Sequence, residues 1–405
     1  MTRRVAVTGM GVIAAPGSTR AAFWESLRNG CSAIRPMKLV PEGALRFPNA
    51  AEVKDYRASD YMDEKEADLL DRFAQFALIA AREAVAGFGL SFTPELKART
   101  AIVTGTSSGG RTSEDREFHS LYAEGSARVH PLTIARTMSN AGASRIAREY
   151  GIVGPCYTVS TACASASHAI GQAFWMVRHG VVDAAIAGGS EAPFSLGFLK
   201  AWEAMRIVSP DTCRPFSRDR KGLILGEGAS MLVLEPLENA LARGAKIWGE
   251  IAGFGMSSDA YHLTQPLAEG AARAMRSALE DAAVDPNAID YINAHGTGTL
   301  ANDVTETQAI REVFGVRSDK LPVSSTKSMH GHALGAAGAL EAAATLMALD
   351  EGLLPPTANF TEADLECPLD VVPNTARAAS IEWALSNSFA FGGLNAVLVF
   401  RRGSR

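Results

Sequence analysis

The chain has 405 residues, of which 47% are hydrophobic and 20% are charged, and its formal net charge at pH 7 is -5. This is the composition of a globular protein long enough for two packed units. The mildly acidic balance, without a Lys- or Arg-rich run, argues against nucleic acid as the main partner. Apolar runs well short of the roughly 20 residues that a spanning helix needs argue against a membrane protein.

The first residues and the cysteines favour a cytoplasmic protein. Met1 to Arg4 leads directly into an apolar run at residues 5–7, which resembles a first strand rather than the apolar core of a secretion signal. The cysteines are odd in number, widely spaced and lack a CxxC pair, so neither a disulfide framework nor a zinc site is indicated. They are Cys31, Cys156, Cys163, Cys213 and Cys367.

The N-terminal part alternates short β-prone runs with longer helical patterns. The predicted strands cover residues 5–8, 101–104, 156–159, 184–187 and 231–234, and the predicted helices cover 21–30 and 65–87. This alternation predicts an α/β fold with mostly parallel, buried strands. Gly9 and Gly11 follow the first strand, but Ala14 stands where a dinucleotide-binding fingerprint needs a third glycine. We therefore expect no nucleotide cofactor.

A short charged stretch at 238–246 separates a second set of elements, so we predict two halves, residues 1–245 and 246–405. The second half is predicted to contain strands at 247–252, 291–293, 323–324 and 396–400, and helices at 270–283, 305–313 and 336–350. The similar alternation in both halves is compatible with a duplication, although no repeat is evident residue by residue.

Cys163 lies where the predicted strand at 156–159 passes through small residues into a helical pattern. The start of a helix offers free N–H groups and a positive dipole end, which can lower the pKa of a thiol below about 8.5. The sequence thus indicates a nucleophile with room around its sulfur. A buried cysteine packed as a small apolar residue is the alternative.

Two histidines lie in glycine-rich segments that follow β-type runs. His295 belongs to residues 293–299 and His332 to residues 327–338. Because the ends of strands collect catalytic side chains in α/β sheets, the thiol and both imidazoles are expected to converge on one pocket. Each histidine could instead be structural. His330 and His332 also have the spacing of a metal pair, but no third ligand is evident, and we expect no metal.

The segment 386–395 combines aromatic residues with consecutive glycines. It is predicted to be a loop that supplies a backbone N–H to an oxyanion or acts as a gate.

Taken in order, the elbow at Cys163 and the motifs Asn-Ala-His-Gly-Thr-Gly-Thr, Lys-Ser-x-x-Gly-His and Phe-x-Phe-Gly-Gly-x-Asn resemble the β-ketoacyl-acyl carrier protein synthases, in particular the type II condensing enzymes. The resemblance extends from Val5 to Phe400. It implies the thiolase fold, in which two similar α/β halves, each with a mixed five-stranded sheet, stack as α-β-α-β-α layers. It also implies a homodimer.

The resemblance assigns roles to the reactive groups. Cys163 would take an acyl group from the phosphopantetheine thioester of an acyl carrier protein, and the N–H groups of Cys163 and Phe391 would hold the oxyanion. His295 and His332 would donate hydrogen bonds from Nε2 to the enolate that forms when malonyl carrier protein loses carbon dioxide.

The family pattern also supplies supporting residues. Lys327 matches the lysine beside the second histidine, and Glu306, with Asp303, matches the acidic partners. An ammonium held by Glu306 would set the field around His332. The implied pocket and gate residues are Ser108, Thr297, Thr299, Phe389, Ala390 and Gly392.

Three positions depart from that pattern. Ala390 replaces a usual glycine, so we expect a stiffer gate. Ser108 replaces a larger aliphatic residue, so we expect a longer or more unsaturated acyl chain than in housekeeping elongation. His330 stands where threonine is common, and the sequence gives it no role.

The basic rim that would face an acidic carrier protein is sparse. Lys65 alone remains on its helix, with Arg128 and Arg206 as further members, and fewer charges should slow the encounter with the carrier.

The sequence therefore predicts a β-ketoacyl-acyl carrier protein synthase that extends an acyl chain by two carbons in fatty acid synthesis. The alternative is a ketosynthase of a specialised pathway, of nodulation, aryl-polyene or polyketide type, working as a heterodimer with a partner subunit. A thiolase, a cysteine hydrolase or a non-catalytic scaffold are further alternatives, but they explain Cys163, His295 and His332 together less well.

Overall fold

The computed structural model describes residues 2–89 and 91–403. Fifteen strands are found in these residues: β1 (Val5–Ala14), β2 (Arg35–Pro36), β3 (Asn49–Ala50), β4 (Thr100–Gly105), β5 (Cys156–Val159), β6 (Ala184–Glu191), β7 (Gly228–Pro236), β8 (Gly249–Ser258), β9 (Tyr291–Asn293), β10 (Pro322–Ser324), β11 (Leu353–Leu354), β12 (Asp370–Val371), β13 (Arg377–Ala378), β14 (Trp383–Ala390) and β15 (Leu394–Arg401).

Fourteen α-helices lie between these strands in the described part of the chain. They are α1 (Arg20–Arg28), α2 (Glu64–Asp68), α3 (Arg72–Phe88), α4 (Pro94–Ala98), α5 (Arg111–Tyr122), α6 (Thr133–Thr137), α7 (Ala141–Tyr150), α8 (Ser165–Arg178), α9 (Leu196–Met205), α10 (Leu237–Ala242), α11 (Ala268–Ala282), α12 (Leu300–Phe314), α13 (Lys327–His330) and α14 (Ala337–Glu351). None of them, within these residues, has the length and apolar character that a bilayer crossing requires.

The two halves repeat one pattern of strand pairing. In the first half β5, β4 and β6 are parallel, and β7 and β1 continue the sheet antiparallel. In the second half β10, β9 and β14 are parallel, and β15 and β8 continue it antiparallel. Each half thus has the expected mixed set of five strands, and the thiolase fold is confirmed.

The expectation of two separate sheets needs one refinement. Residues 5–7 of β1 pair with residues 249–251 of β8, and the short β12 adds to the far edge, so the sheet is a continuous ladder of eleven strands. Along these three residue pairs, β1 and β8 satisfy each other's backbone hydrogen-bonding groups.

Helices α8 and α14 form the central layer, where they pack against each other and against strands of both halves. Helices α3 and α7 cover the outer face of the first half, and α11 and α12 cover that of the second. α14 is buried along nearly its whole length, which fits its apolar composition all round. The order of layers is α-β-α-β-α.

Most predicted elements are present, with similar or longer bounds, and three predictions are wrong. The strands are not mostly parallel, because two of the four strand pairings within each half are antiparallel. The helix predicted over 65–87 is interrupted: α2 ends at Asp68, and the carboxylate of Asp71 accepts the N–H of Phe73 to begin α3. The segment 386–395 is not a loop throughout. Its first residues complete β14, and only residues 391–393 form the turn to β15.

Candidate active site

Cys163 lies on a tight elbow between β5 and α8. Ala162 has a φ of 48°, in the left-handed region, which costs an L-residue roughly 1–2 kcal/mol. Strain of this kind at the residue before a nucleophile is typical of an elbow that presents the reactive atom. The Cys163 side chain is buried but lines a cavity.

The thiol of Cys163 is not activated by its position in the way the sequence predicted. Burial raises its pKa to about 12, against the opposing effects of the Lys327 ammonium and of the nearby backbone N–H groups of Phe391 and Cys163. The helix also begins only at Ser165, two residues later. Desolvation outweighs the helix dipole here because the dipole acts mainly within the first turn. Both N–H groups are close enough to the sulfur to act on its pKa, and they are the candidate donors of an oxyanion hole.

Two buried carboxylates of α12 bind the backbone of the glycine-rich loop at 294–299. Glu306 accepts the N–H groups of His295 (2.8 Å) and Gly296 (2.7 Å), and Asp303 accepts the N–H of Gly298 (3.2 Å). Burial raises the pKa of both carboxyls. Glu306 and Asp303 therefore support the loop that carries His295 and do not face the cavity.

His295 and His332 meet edge to face, with ring centroids 5.4 Å apart and an interplanar angle of 83°. Burial, reinforced by the Lys327 ammonium, holds both imidazole pKa values well below their ordinary value. Both rings are thus neutral near pH 7, and each presents one N–H donor.

One contact and one unpaired nitrogen indicate where each ring carries its proton. Lys327 Nζ lies 3.3 Å from His295 Nδ1, and an ammonium can only donate, so Nδ1 accepts and Nε2 carries the proton. His332 Nδ1 is buried with no hydrogen-bond partner among the described residues. A proton on its Nε2 avoids an unpaired buried N–H.

Lys327 is fully buried, and its carboxylate partner differs from the prediction. Nζ hydrogen-bonds to the carboxylate of Glu341, on α14, and donates to the carbonyl of His295 at 2.6 Å. Glu306 is not its partner. Burial raises the pKa of Glu341 to about 7, against the effect of the Lys327 ammonium. No pattern near Lys327 pointed to Glu341, which is 14 residues downstream on another helix.

His330 is structural in this arrangement. Its Nδ1 lies 2.8 Å from the carbonyl of Gly331 and its Nε2 lies 2.9 Å from Thr326 Oγ1. Both nitrogens are occupied and the ring does not line the cavity, so His330 and His332 do not form a metal pair.

The turn after β14 places Phe391 beside Cys163. Ala390 is the last residue of β14 and pairs with Leu394, and it does not have a positive φ. The positions with positive φ are Gly392 (φ 81°) and Gly393 (φ 71°), and glycine adopts this conformation without strain. Ala390 is thus accommodated without strain, and stiffening of the gate by its methyl group stays a prediction.

One cavity of about 440 Å³ contains most of the predicted site residues. It is lined by Cys163, His295 and His332, by Thr297 and Thr299, by Phe389, Ala390 and Phe391, and at its mouth by Arg206, Lys221 and His262. Trp202, which the sequence analysis missed, stacks on Phe391 with ring centroids 6.1 Å apart. Tryptophan on an amphipathic helix is usually a core residue, so no signal in the sequence marked it.

Ser108 does not line this cavity. Its hydroxyl hydrogen-bonds to Glu191, a buried carboxylate that also accepts the N–H groups of Ser107 (2.7 Å) and Gly335 (2.9 Å). The serine thus fixes the turn after β4 to the end of β6. Its predicted effect on chain length has no support in this cavity.

The residues predicted to dock a carrier protein are all exposed. Arg206 is at the mouth of the cavity. Lys65, on α2, and Arg128 lie on neighbouring segments, because Asp68 of α2 pairs with His130 at 3.2 Å.

Comparison with known proteins decides the family. The sequence model described as "Beta-ketoacyl synthase, N-terminal domain" matches residues 2–240, and that described as "Beta-ketoacyl synthase, C-terminal domain" matches residues 248–361. The chain belongs to the β-ketoacyl synthase family. It is accordingly a ketosynthase, a condensing enzyme of the acyltransferase type.

This β-ketoacyl synthase is similar both to nodulation proteins E and to 3-oxoacyl-[acyl-carrier-protein] synthases. It is 46% identical over 402 residues to nodulation protein E of Rhizobium sp. (strain N33), covering 99% of this chain and 100% of that protein. It is 42% identical over 410 residues to 3-oxoacyl-[acyl-carrier-protein] synthase 2 of Synechocystis, covering 99% and 98%. A solved structure, "The ishigamide ketosynthase/chain length factor", superposes with a TM-score of 0.95 at 39% identity over 100% of both chains.

Proposed function

We propose that Cys163 is the acyl acceptor in the first of two half-reactions. Its sulfur attacks the thioester of an acyl carrier protein, and the N–H groups of Cys163 and Phe391 hold the oxyanion. The thiol is protonated at rest, and its proton leaves with the released phosphopantetheine sulfur. The product is an acyl-enzyme thioester.

In the second half-reaction, neutral His295 and His332 donate from Nε2 to the thioester oxygen of malonyl carrier protein. The bond to the carboxylate breaks, carbon dioxide leaves, and its electron pair forms an enolate. The enolate carbon attacks the acyl group on Cys163 and expels the sulfur, which takes a proton from solvent. Lys327, fixed by Glu341, is proposed to position His295 rather than to transfer a proton.

The observation that carries this proposal is the meeting of three chemically different groups in one cavity. A thiol with two backbone N–H groups near its sulfur shares this cavity with two neutral imidazoles. A hydrolase would need a base beside the thiol, whereas here Nε2 of both histidines carries the proton and suits hydrogen-bond donation.

The test is decarboxylation of malonyl carrier protein by a Cys163→Gln variant. We expect it to keep or gain decarboxylation while losing condensation, because the histidines remain. His332→Ala should lose decarboxylation by about 100-fold, the usual effect of removing a preorganised donor. Cys31→Ser, at an exposed thiol, is the matched control. Absence of decarboxylation in both wild type and Cys163→Gln would exclude the mechanism.

A specialised pathway is the second candidate, and the similarity to nodulation protein E favours it alongside fatty acid synthesis. Mass spectrometry of the acyl group held on Cys163, after incubation with carrier proteins bearing different acyl chains, distinguishes the two. Long or unsaturated groups would favour the specialised pathway. A preference for short saturated groups would favour primary elongation.

We also propose a homodimer through the free edge of β5. β5 ends the eleven-stranded sheet, and an exposed edge strand is a template for pairing with another chain. Helix α7 packs on β5 and α6 packs on α7. Large apolar side chains are exposed around this face: Phe118, Tyr122, Leu132, Ile134 and Val153.

Light scattering on the purified chain tests this assembly. We expect twice the monomer mass for the wild type and a monomer for Ile134→Lys, which places a charge on the apolar face. Val316→Lys, at an exposed apolar residue far along the chain, is the control. A monomeric wild type that acquires its dimer mass only with a second, different chain would favour the heterodimer.

A further inference from the structure

The first turn of α8 holds the strained elbow that carries Cys163. Ala162 keeps a left-handed conformation that an alanine does not favour. Such a conformation persists only where surrounding contacts determine it. Two buried side chains of α8, Ser165 and His168, supply those contacts, and neither has a part in the chemistry described above.

Ser165 bridges the two residues that precede Cys163. Its Oγ accepts the N–H of Thr161 at 2.9 Å and donates to the carbonyl of Ala162 at 2.6 Å. One hydroxyl thus fixes the peptide group between residues 160 and 161 and the one between residues 162 and 163, before and after the strained Ala162. Ser165 is completely buried, so both hydrogen bonds are shielded from solvent.

His168 fixes the residue on the other side of Cys163. Its Nδ1 lies 3.0 Å from the carbonyl of Ala164 and 2.9 Å from the hydroxyl oxygen of Thr161. A carbonyl only accepts, so Nδ1 carries the proton and ties both residues to one ring. Phe254 packs edge-on against that ring, with centroids 5.9 Å apart.

We propose that Ser165 and His168 are positioning residues that hold the Cys163 backbone so that its N–H and that of Phe391 converge on the reacting atoms. The inference rests on the proposed acylation of Cys163. Loss of either side chain should slow acyl transfer to the thiol without removing the thiol's reactivity toward a small alkylating reagent, which needs no oxyanion hole.

The test uses single-turnover transfer from the octanoyl thioester of N-acetylcysteamine to the full chain. We expect Ser165→Ala and His168→Leu to lower the maximal rate about tenfold, which is the effect of losing one hydrogen bond. The thioester concentration that gives half the maximal rate should change little. Alkylation of Cys163 by iodoacetamide, followed on its own peptide, should proceed at least as fast as in wild type. His168→Asn retains a donor at the Nδ1 position and should restore most of the rate.

Ser167→Ala is the matched control. Ser167 is a buried serine on the same turn, but its hydroxyl bonds to Ser388 and not to the elbow. We expect its acyl-transfer rate to stay within about twofold of wild type even if its unfolding temperature falls as far as that of Ser165→Ala.

A second substitution separates positioning from general stability. Glycine adopts a positive φ without a Cβ clash, so Ala162→Gly should make the elbow less dependent on Ser165. The Ala162→Gly, Ser165→Ala double variant should then transfer acyl groups nearly as fast as Ala162→Gly alone. A double variant as slow as Ser165→Ala would overturn the inference. An unchanged rate in both Ser165→Ala and His168→Leu would also overturn it. Failure of the wild type to accept any acyl group would instead refute the proposed function.

Discussion

Among individual residues, desolvation decides the ionisation of each reactive group. Burial raises the pKa of Cys163 and lowers those of His295 and His332. All three groups are therefore uncharged at rest, and the buried ion pair of Lys327 with Glu341 lies beside His295. A neutral site suits a reaction whose charge appears only as bonds change, because preorganised N–H groups then act on the transition state more than on the resting enzyme.

The pH dependence of alkylation tests this at Cys163. With a thiol pKa of about 12, the reactive thiolate fraction rises about tenfold for each pH unit below that value. We expect iodoacetamide labelling of the Cys163 peptide to rise in this way from about pH 7 to pH 9 without a plateau. The Cys163→Ser variant supplies the blank. A plateau near pH 8 would show instead that the elbow activates the thiol at rest.

Among secondary-structure elements, the site is built from strand ends that correspond in the two halves. Cys163 follows β5 and His332 follows β10, while Glu191 ends β6 and Phe391 follows β14. Carboxyl ends of parallel strands meet at one edge of a sheet, which brings these residues together. Helix α8 also packs closely against β8, because the ring of Phe254, on β8, lies directly over Gly171 of α8.

Gly171→Ala tests that contact. A Cβ at Gly171 would lie 2.4 Å from the Phe254 ring, so we expect a loss of about 2 kcal/mol in the free energy of unfolding from overpacking. The displaced ring would also disturb His168. Gly87→Ala is the control, because Gly87 is also helical and its new Cβ would come no closer than 3.7 Å to any neighbour; it should be neutral or more stable by about 0.5–1 kcal/mol. Equal effects in both variants would show that the close approach has no cost.

For the whole molecule, the continuous sheet and the shared central layer make the halves interdependent. β1 pairs with β8, and one hydrophobic core contains residues of both halves, such as Phe174 of α8 and Leu346 of α14. The active site lies where the halves meet, so neither half contains it alone. His295 and His332 come from the second half and Cys163 from the first.

We therefore expect a single unfolding transition, although the chain has two repeated halves. Calorimetry should give one peak, and loss of near-ultraviolet and far-ultraviolet circular dichroism should coincide. Labelling of Cys163 by iodoacetamide should increase at the same temperature. Two resolved transitions would show that each half is stable without the other.

The sequence alone indicated the candidate reactive residues and the elements that present them. Cys163, His295 and His332 stand out because small residues and glycines follow short β-prone runs, a local pattern that needs no distant partner, and β5 and β9 have the predicted bounds. β14 was not predicted, because buried polar residues hide its strand pattern. One of them, Asn387, is satisfied by donating to Glu306 at 3.1 Å, a contact that exists only in the folded chain. The tertiary structure also decided that Lys327 pairs with Glu341 and that burial raises the Cys163 pKa. Both depend on contacts between distant segments, whose low-dielectric surroundings outweigh the local helix dipole.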